Sequence, residues 1–188
     1  MQDLLAYAVE HGMALGAKAL EARYEDMSIR TILMENGSFR DVVSTRRRGL
    51  CVVAYVGDST GFSYTTSLNK ADVRNACRGA YKLGRGAGGI TTVRAHVEPV
   101  EPYVAKGIRP RVKVHPKDVS TDEKRDLLVR ASDAVKQNGE RISSILIRFG
   151  EYHGTKMIVN SDGTSVSWDP LVLDLVCTAV SKGIGGEL

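Results

Sequence analysis

Hydrophobic positions change their spacing several times along this chain, and each change predicts an element. Residues 2–15 carry Leu4, Leu5, Ala8 and Leu15 on one stripe with Gly12, which predicts a helix stopped at Gly16. The period then drops to two. Leu20, Ala22 and Tyr24 alternate with Glu21, Arg23 and Glu25, and a second strand is expected over 28–35. Asn36-Gly37 predicts a two-residue hairpin turn, because both turn positions need positive φ. The return strand is expected over 38–47. Residues 50–56 form a continuous apolar run, which predicts a central strand buried on both faces. Gly57-Asp58-Ser59-Thr60 then turns the chain, and 61–65 is expected to pair back.

A helix is expected to open near Asn69, with Asp72 at its positive end. Val73, Ala76, Cys77, Ala80, Tyr81 and Gly84 fall on one face, and Gly84 and Gly86 are expected to end it. Four of the five prolines (Pro99, Pro102, Pro110 and Pro116) then sit in 85–118. They remove donors and fix φ, so this stretch reads as an extended arm, with a short edge strand expected at 111–114. Ser120 with Glu123 three residues on is a capping box for a third helix. Its apolar face is expected to be Leu127, Leu128, Ala131, Ala134 and Val135, and its end Gly139. Ile145, Ile147 and Phe149 predict a strand, and 156–159 should pair with 166–168 across Ser161-Asp162-Gly163. Leu171, Leu173, Leu175 and Cys177 predict the last strand, before Gly185-Gly186-Glu187-Leu188.

The sum is an α+β fold: an antiparallel, hairpin-rich sheet with about three helices packed on one face. Composition divides the chain at its arm, giving sub-units 1–85 and 119–188 joined by 86–118. The sheet's other face, or its free edges, is expected to be covered by something outside this chain.

Composition narrows the class. A chain of 188 residues is long enough to bury about 70% of the surface that its unfolded form exposes, without a disulfide or metal. Cys51, Cys77 and Cys177 are odd in number and far apart, as expected of a reduced, cytoplasmic protein. No window approaches the ~18 apolar residues of a membrane span, and Met1-Gln2-Asp3-Leu4-Leu5 is not a signal peptide. The net charge of +4 admits a nucleic-acid partner without demanding one. His11, His96, His115 and His153 are scattered, none is followed by Glu, and there is no Cys-x-x-Cys, so no local zinc motif is present.

Other candidate chemistry resolves into ordinary structure. Gly84-Arg85-Gly86-Ala87-Gly88-Gly89 fits the dinucleotide pattern, but that motif needs a strand before it and a helix after it. Here it follows a helix, and reads as a helix end. His96-Val97-Glu98 matches half of a deaminase zinc motif whose second half is missing. Arg46-Arg47-Arg48 is the densest basic run, yet no aromatic residues are interleaved with it, so it reads as a solvated strand end. Glu21, Glu25 and Asp26 lie along the polar side or end of a strand with no partner base. No Gly-x-Ser-x-Gly is present, and no cysteine sits in a nucleophile context. No catalytic, metal or binding residue is assigned.

Several segments, in order, resemble the N-terminal region of the TldD/PmbA family of zinc metallopeptidases and partner subunits, once labelled modulators of DNA gyrase. They are residues 19–24 followed by Asn36-Gly37, and Arg48-Gly49-Leu50-Cys51-Val52. Thr60-Gly61-Phe62-Ser63-Tyr64 comes next, leading to Arg78-Gly79-Ala80, then 118–124. Last is Ser161-Asp162-Gly163-Thr164 followed by Asp169-Pro170-Leu171-Val172. The hairpin is similar to the family's T-D-G-T…R-P-L-V, with Asp169 in place of Arg. Together the segments favour the TldD branch.

The resemblance implies an H-E-x-x-x-H helix and a third zinc ligand in a C-terminal catalytic domain. This sequence lacks that motif, so no zinc is expected in this chain, which is predicted inactive alone. The chain reads as the N-terminal domain of such a protein, expressed alone, cleaved or encoded separately. The resemblance further implies a homo- or heterodimer with a TldD/PmbA-type subunit, enclosing a chamber that takes unfolded peptides. A stand-alone regulatory module is the alternative, and behind it nucleic-acid binding through Arg46–Arg48 and the basic arm around Arg109, Arg111 and Lys113.

Overall fold

The computed structural model describes residues 1–88, 94–95, 97–137 and 141–183. In chain order the elements are α1 (Gln2–Ala14), β1 (Ala19–Glu35), β2 (Ser38–Val56), β3 (Ser59–Thr65), α2 (Lys70–Ala87), β4 (Val104–Ile108), α3 (Thr121–Lys136), β5 (Ile142–Asn160), β6 (Ser165–Trp168) and β7 (Leu171–Ser181), with a short 3-10 turn at Pro116–Asp118 before α3. Among the described residues the fold is α+β: three helices with a seven-stranded, mostly antiparallel mixed sheet. Its hydrogen-bonded order is β3-β2-β1-β5-β6-β4, and β7 also pairs with β5.

Two compact units share these elements. Unit 1 comprises Met1–Met27, Arg47–Arg109 and Gly154–Pro170; unit 2 comprises Ser28–Arg46, Pro110–His153 and Leu171–Leu188. The long strands β1, β2 and β5 each contribute to both.

Local chemistry forms the turns and caps as the sequence predicts. Asn36 and Gly37 hold φ of 50° and 83°, the pair of positive values that joins β1 to β2. Asn69 Oδ1 accepts from the Asp72 N–H at 2.9 Å and caps α2. Ser120 and Glu123 make both bonds of the capping box on α3. At the last hairpin Asn160 Oδ1 accepts from the N–H groups of Asp162 and Thr164, and Lys156 through Val159 face Trp168 through Ser165.

The strands are longer than the period suggests. Residues 20–25 and 28–35 are one strand, as are 38–47 with 50–56, and 145–149 with 156–159. In β1 the buried positions run Leu20, Ala22 and Tyr24, shift to Met27, and return to Ile32 and Met34. A phase shift of this kind breaks the alternation without breaking the strand. The expected burial of 50–56 on both faces is also corrected. Leu50, Val52 and Ala54 are buried, while Cys51, Val53 and Tyr55 are only partly so.

Three further expectations change. Helix α2 does not stop at Gly84 or Gly86 but runs to Ala87, with Gly84 buried on its packed face. The arm's strand lies at Val104–Ile108 and not at 111–114, and it pairs in parallel with β6. On α3, Leu127 and Ala134 are exposed, and Lys124, Leu128 and Ser132 are the buried positions. The expected stop at Gly139 lies outside the described residues, as do Gly89, His96 and Gly185–Leu188.

Each unit has its own core. In unit 1, Leu5 and Ala8 of α1 and Val73, Ala76 and Cys77 of α2 pack with Leu20, Ala22, Leu50 and Val52 of the sheet. Fully burying one such Leu or Val stabilises by about 1.5–3 kcal/mol. In unit 2, Leu128 of α3 packs on Ile32, Met34, Ile145, Ile147 and Phe149.

Candidate functional site

The two sides of β3 carry different residues, and that difference builds a pocket in unit 1. Ser59, Gly61 and Ser63 alternate with Thr60, Phe62 and Tyr64. Ser59 and Gly61 are buried, and Gly61 meets α2. A Cβ on Gly61 would stand 1.9 Å from the Ala80 carbonyl oxygen and 2.4 Å from the Gly84 nitrogen, so only glycine allows the helix this close. Fixing that side of β3 against α2 turns Phe62 and Tyr64 to the opposite face of the sheet.

There they stand exposed, at 53% and 70%. The strand register sets Phe62 opposite Val53 and Tyr64 opposite Cys51. Ile158 and Trp168 close the far wall, and the cavity has a volume of about 530 Å³. Its rim is charged. Arg47 and Lys156 both pair with Glu25, and Arg48 stands 3.7 Å from Asp26. Arg23 pairs with Glu21. Burial pushes the Cys51 thiol up from its ordinary value, the Arg23 cation opposing, which keeps the sulfur protonated and unreactive.

These contacts settle the sequence candidates. Arg47 and Arg48 do not end a strand; they lie inside β2 and meet the carboxylates Glu25 and Asp26. The glycine-rich run is mostly helix: Gly84 and Gly86 belong to α2, and Gly88 caps it. Cys77 is buried, donates to the Ala8 carbonyl at 3.4 Å, and is pushed up to about 11 by burial. Val97 and Glu98 lie on the arm without regular structure. Asp169 accepts from the Thr155 hydroxyl at 2.9 Å and pairs with Arg109 of the arm at 3.0 Å.

Unit 2 holds a second polar cluster that sequence reasoning missed. Lys124 Nζ stands 2.7 Å from Glu151 Oε2, with both side chains buried, and also donates to the Pro116 carbonyl at 2.8 Å. Arg30 is 3.7 Å from the other Glu151 oxygen. His153 meets His115 edge-on, with ring centroids 5.1 Å apart. Burial lowers the His153 pKa from its ordinary 6.5, against the raising pull of Glu151. The readable signal was spacing: Lys124, Leu128 and Ser132 fall on one stripe once the capping box sets the helix register.

Among the described residues no group of three or more His, Cys, Asp or Glu side chains is placed to hold a metal. No helix among the described residues is long and apolar enough to cross a membrane.

Comparison with known families places this geometry. Residues 20–84 match the model of PmbA/TldA metallopeptidase domain 1, and residues 114–187 match that of the PmbA/TldA metallopeptidase central domain. The chain belongs to the PmbA/TldD family. The two family domains meet the chain in order, the first match ending at residue 84 and the second beginning at residue 114.

Solved structures share the fold. A crystal structure described as a modulator of DNA gyrase from Bacteroides thetaiotaomicron aligns with a TM-score of 0.76 at 18% identity, over 98% of this chain and 42% of its own. A second protein so described, from Thermotoga maritima, aligns at 0.67 and 14% identity, over 97% and 40%. TldE from Thermococcus kodakarensis aligns at 0.67 and 14%, over 93% and 42%. This chain thus spans about two fifths of the length of these structures. No curated protein matches it in sequence.

Proposed function

We propose that this chain is the non-catalytic, substrate-handling part of a PmbA/TldD zinc metallopeptidase that degrades or processes unfolded peptides in the cytoplasm. The cutting residues belong to a region outside these 188 residues. In this reading the chain pairs with a like or unlike PmbA/TldD-type subunit, helps to enclose a chamber, and restricts which chains enter it. The observation that carries the reading is β3: it ends the hydrogen-bonded strand order and presents Phe62 and Tyr64 on its exposed side. A strand at the end of a sheet offers backbone donors and acceptors to an extended peptide and reads backbone before sequence. A folded protein offers one only at an exposed sheet edge of its own, whereas an unfolded chain offers extended backbone throughout.

The test is a binding assay with one protein in two states. The chain is expected to retain a reduced, carboxymethylated protein and not its native form, and to leave the bound chain uncut by mass spectrometry. Equal retention of both forms, or cleavage by this chain alone, contradicts the proposal. Elemental analysis is expected to find no stoichiometric zinc, and one tightly held zinc per chain would sink that part. A stand-alone regulatory module has in its favour only that two of the solved neighbours are described as modulators of DNA gyrase. Nucleic-acid binding fares worse, because Arg47 and Arg48 already meet carboxylates.

A further inference from the structure

We infer that the cavity on the open face of unit 1 binds a neutral aromatic side chain carried by an extended peptide. Phe62 and Tyr64 form one wall, with ring centroids 6.3 Å apart and planes tilted by 34°. Ile158 and Trp168 form the other. Large aromatic side chains this exposed, on the face opposite α2, mark a surface made for contact. The volume of about 530 Å³ falls in the ordinary range for small-ligand pockets. A ring entering it meets rings on both sides, where offset and edge-on arrangements are favourable.

The rim decides the charge of the occupant. Every basic side chain that lines the cavity stands against a carboxylate: Arg23 against Glu21, Arg47 and Lys156 against Glu25, and Arg48 against Asp26. These cations are already engaged. An anionic ligand has to compete with Glu25 and Asp26 for them, and a cationic ligand has to compete with them for the same carboxylates. A neutral ring disturbs neither set. The backbone beside the cavity points to a peptide as its carrier. Phe62 and Tyr64 belong to β3, which ends the strand order. A peptide paired along β3 sets every second side chain on the cavity's face, next to these two rings.

This inference deepens the peptide-handling reading, and rests on it only for the choice of a peptide over a free aromatic compound. Its test needs neither cleavage nor an unfolded protein, so the two can fail separately. Trp168 is the single tryptophan, which makes intrinsic fluorescence a reporter of the cavity wall. Titration of the full chain with acetyl-Ser-Ala-Ser-Phe-Ser-Ala-Ser-amide is expected to give a saturable change in Trp168 emission. The same peptide with Ala, Asp or Lys in place of its Phe should bind at least tenfold more weakly. The variant Tyr64→Ala should lose most of that preference, and Tyr64→Phe should keep it.

Equal affinity for the Phe and Ala peptides, or no saturable change in emission, overturns the inference, and this arm needs no variant to fold. Tightest binding of the Asp or the Lys peptide also overturns it, in favour of a charged ligand. N-acetylphenylalaninamide offers the ring without a strand of backbone, and is expected to bind at least tenfold more weakly than the Phe peptide. Equal affinity there overturns the peptide as carrier and assigns the cavity to free aromatic compounds.

Discussion

The two faces of the unit 1 sheet are made from alternate residues of the same strands, yet they do opposite things. On one face Leu20, Ala22, Leu50, Val52 and Gly61 disappear beneath the helices. On the other Arg23, Cys51, Phe62 and Tyr64 stand around a cavity. Size is divided along with burial. The covered side of β3 is Ser, Gly and Ser, so α2 rests nearly on the backbone; the open side is Thr, Phe and Tyr. A single period-two pattern thus buries small and apolar side chains on one face and leaves large ones exposed on the other.

Unit 2 fixes its helix by other means. There α3 is held by Leu128 in an apolar cluster and by Lys124 reaching a buried carboxylate and the Pro116 carbonyl. Steric fit tolerates no added atom, whereas a buried ion pair tolerates no lost charge. Each is open to a different kind of damage.

The largest expected effect follows from the steric side. Gly61→Val forces β3 away from α2, since its Cβ would meet the Ala80 carbonyl oxygen at 1.9 Å. Overpacking against backbone of this severity should cost about 4 kcal/mol or more. Urea unfolding followed by circular dichroism measures it; a variant as stable as the parent shows that α2 does not depend on the close approach.

Next comes the ion pair. Lys124→Met removes the close cation from the buried Glu151 carboxylate and leaves it Arg30 at 3.7 Å. Breaking one side of such a pair should cost about 3–5 kcal/mol, and the double variant Lys124→Met/Glu151→Leu should recover most of it. A double-mutant cycle by urea unfolding decides. Additive losses mean that the two side chains do not act as a pair.

A smaller effect is tied to pH. The folded state holds the His153 pKa below 6.5, so the unfolded chain binds more protons there than the folded one. Stability should therefore fall as pH drops from 7.5 through 6.5 toward 5.5. In His153→Gln the same pH step should lower the melting temperature less, by about 2 °C. An identical loss in both proteins removes His153 as a cause.

What could be read in the sequence was local. Asn36-Gly37, Asn69 with Asp72, and Ser120 with Glu123 act within four residues, so their geometry follows from residue type alone. The long strands were less legible because polar runs around Asp26 and Arg47 imitate loops. On an open sheet face charged side chains remain solvated, so the backbone ladder continues through them. The pocket was harder still, since its walls come from residues as far apart as Arg23 and Trp168. One signal was available: the small-large alternation over 59–64 marks a strand with a close neighbour on one side only. A lysine on a helix is ordinarily solvated, and the place of Lys124 on the Leu128 stripe is the sequence feature that marks it as buried.

The smallest expected effect tests the central contrast most directly. If the open face has no part in folding, replacing its two most exposed aromatics should leave stability unchanged. Urea unfolding of the Phe62→Ser/Tyr64→Ser double variant should give a free energy within about 0.5 kcal/mol of the parent. A loss of about 2 kcal/mol or more would mean that Phe62 and Tyr64 are core residues of unit 1, and would contradict the division of labour between its two faces.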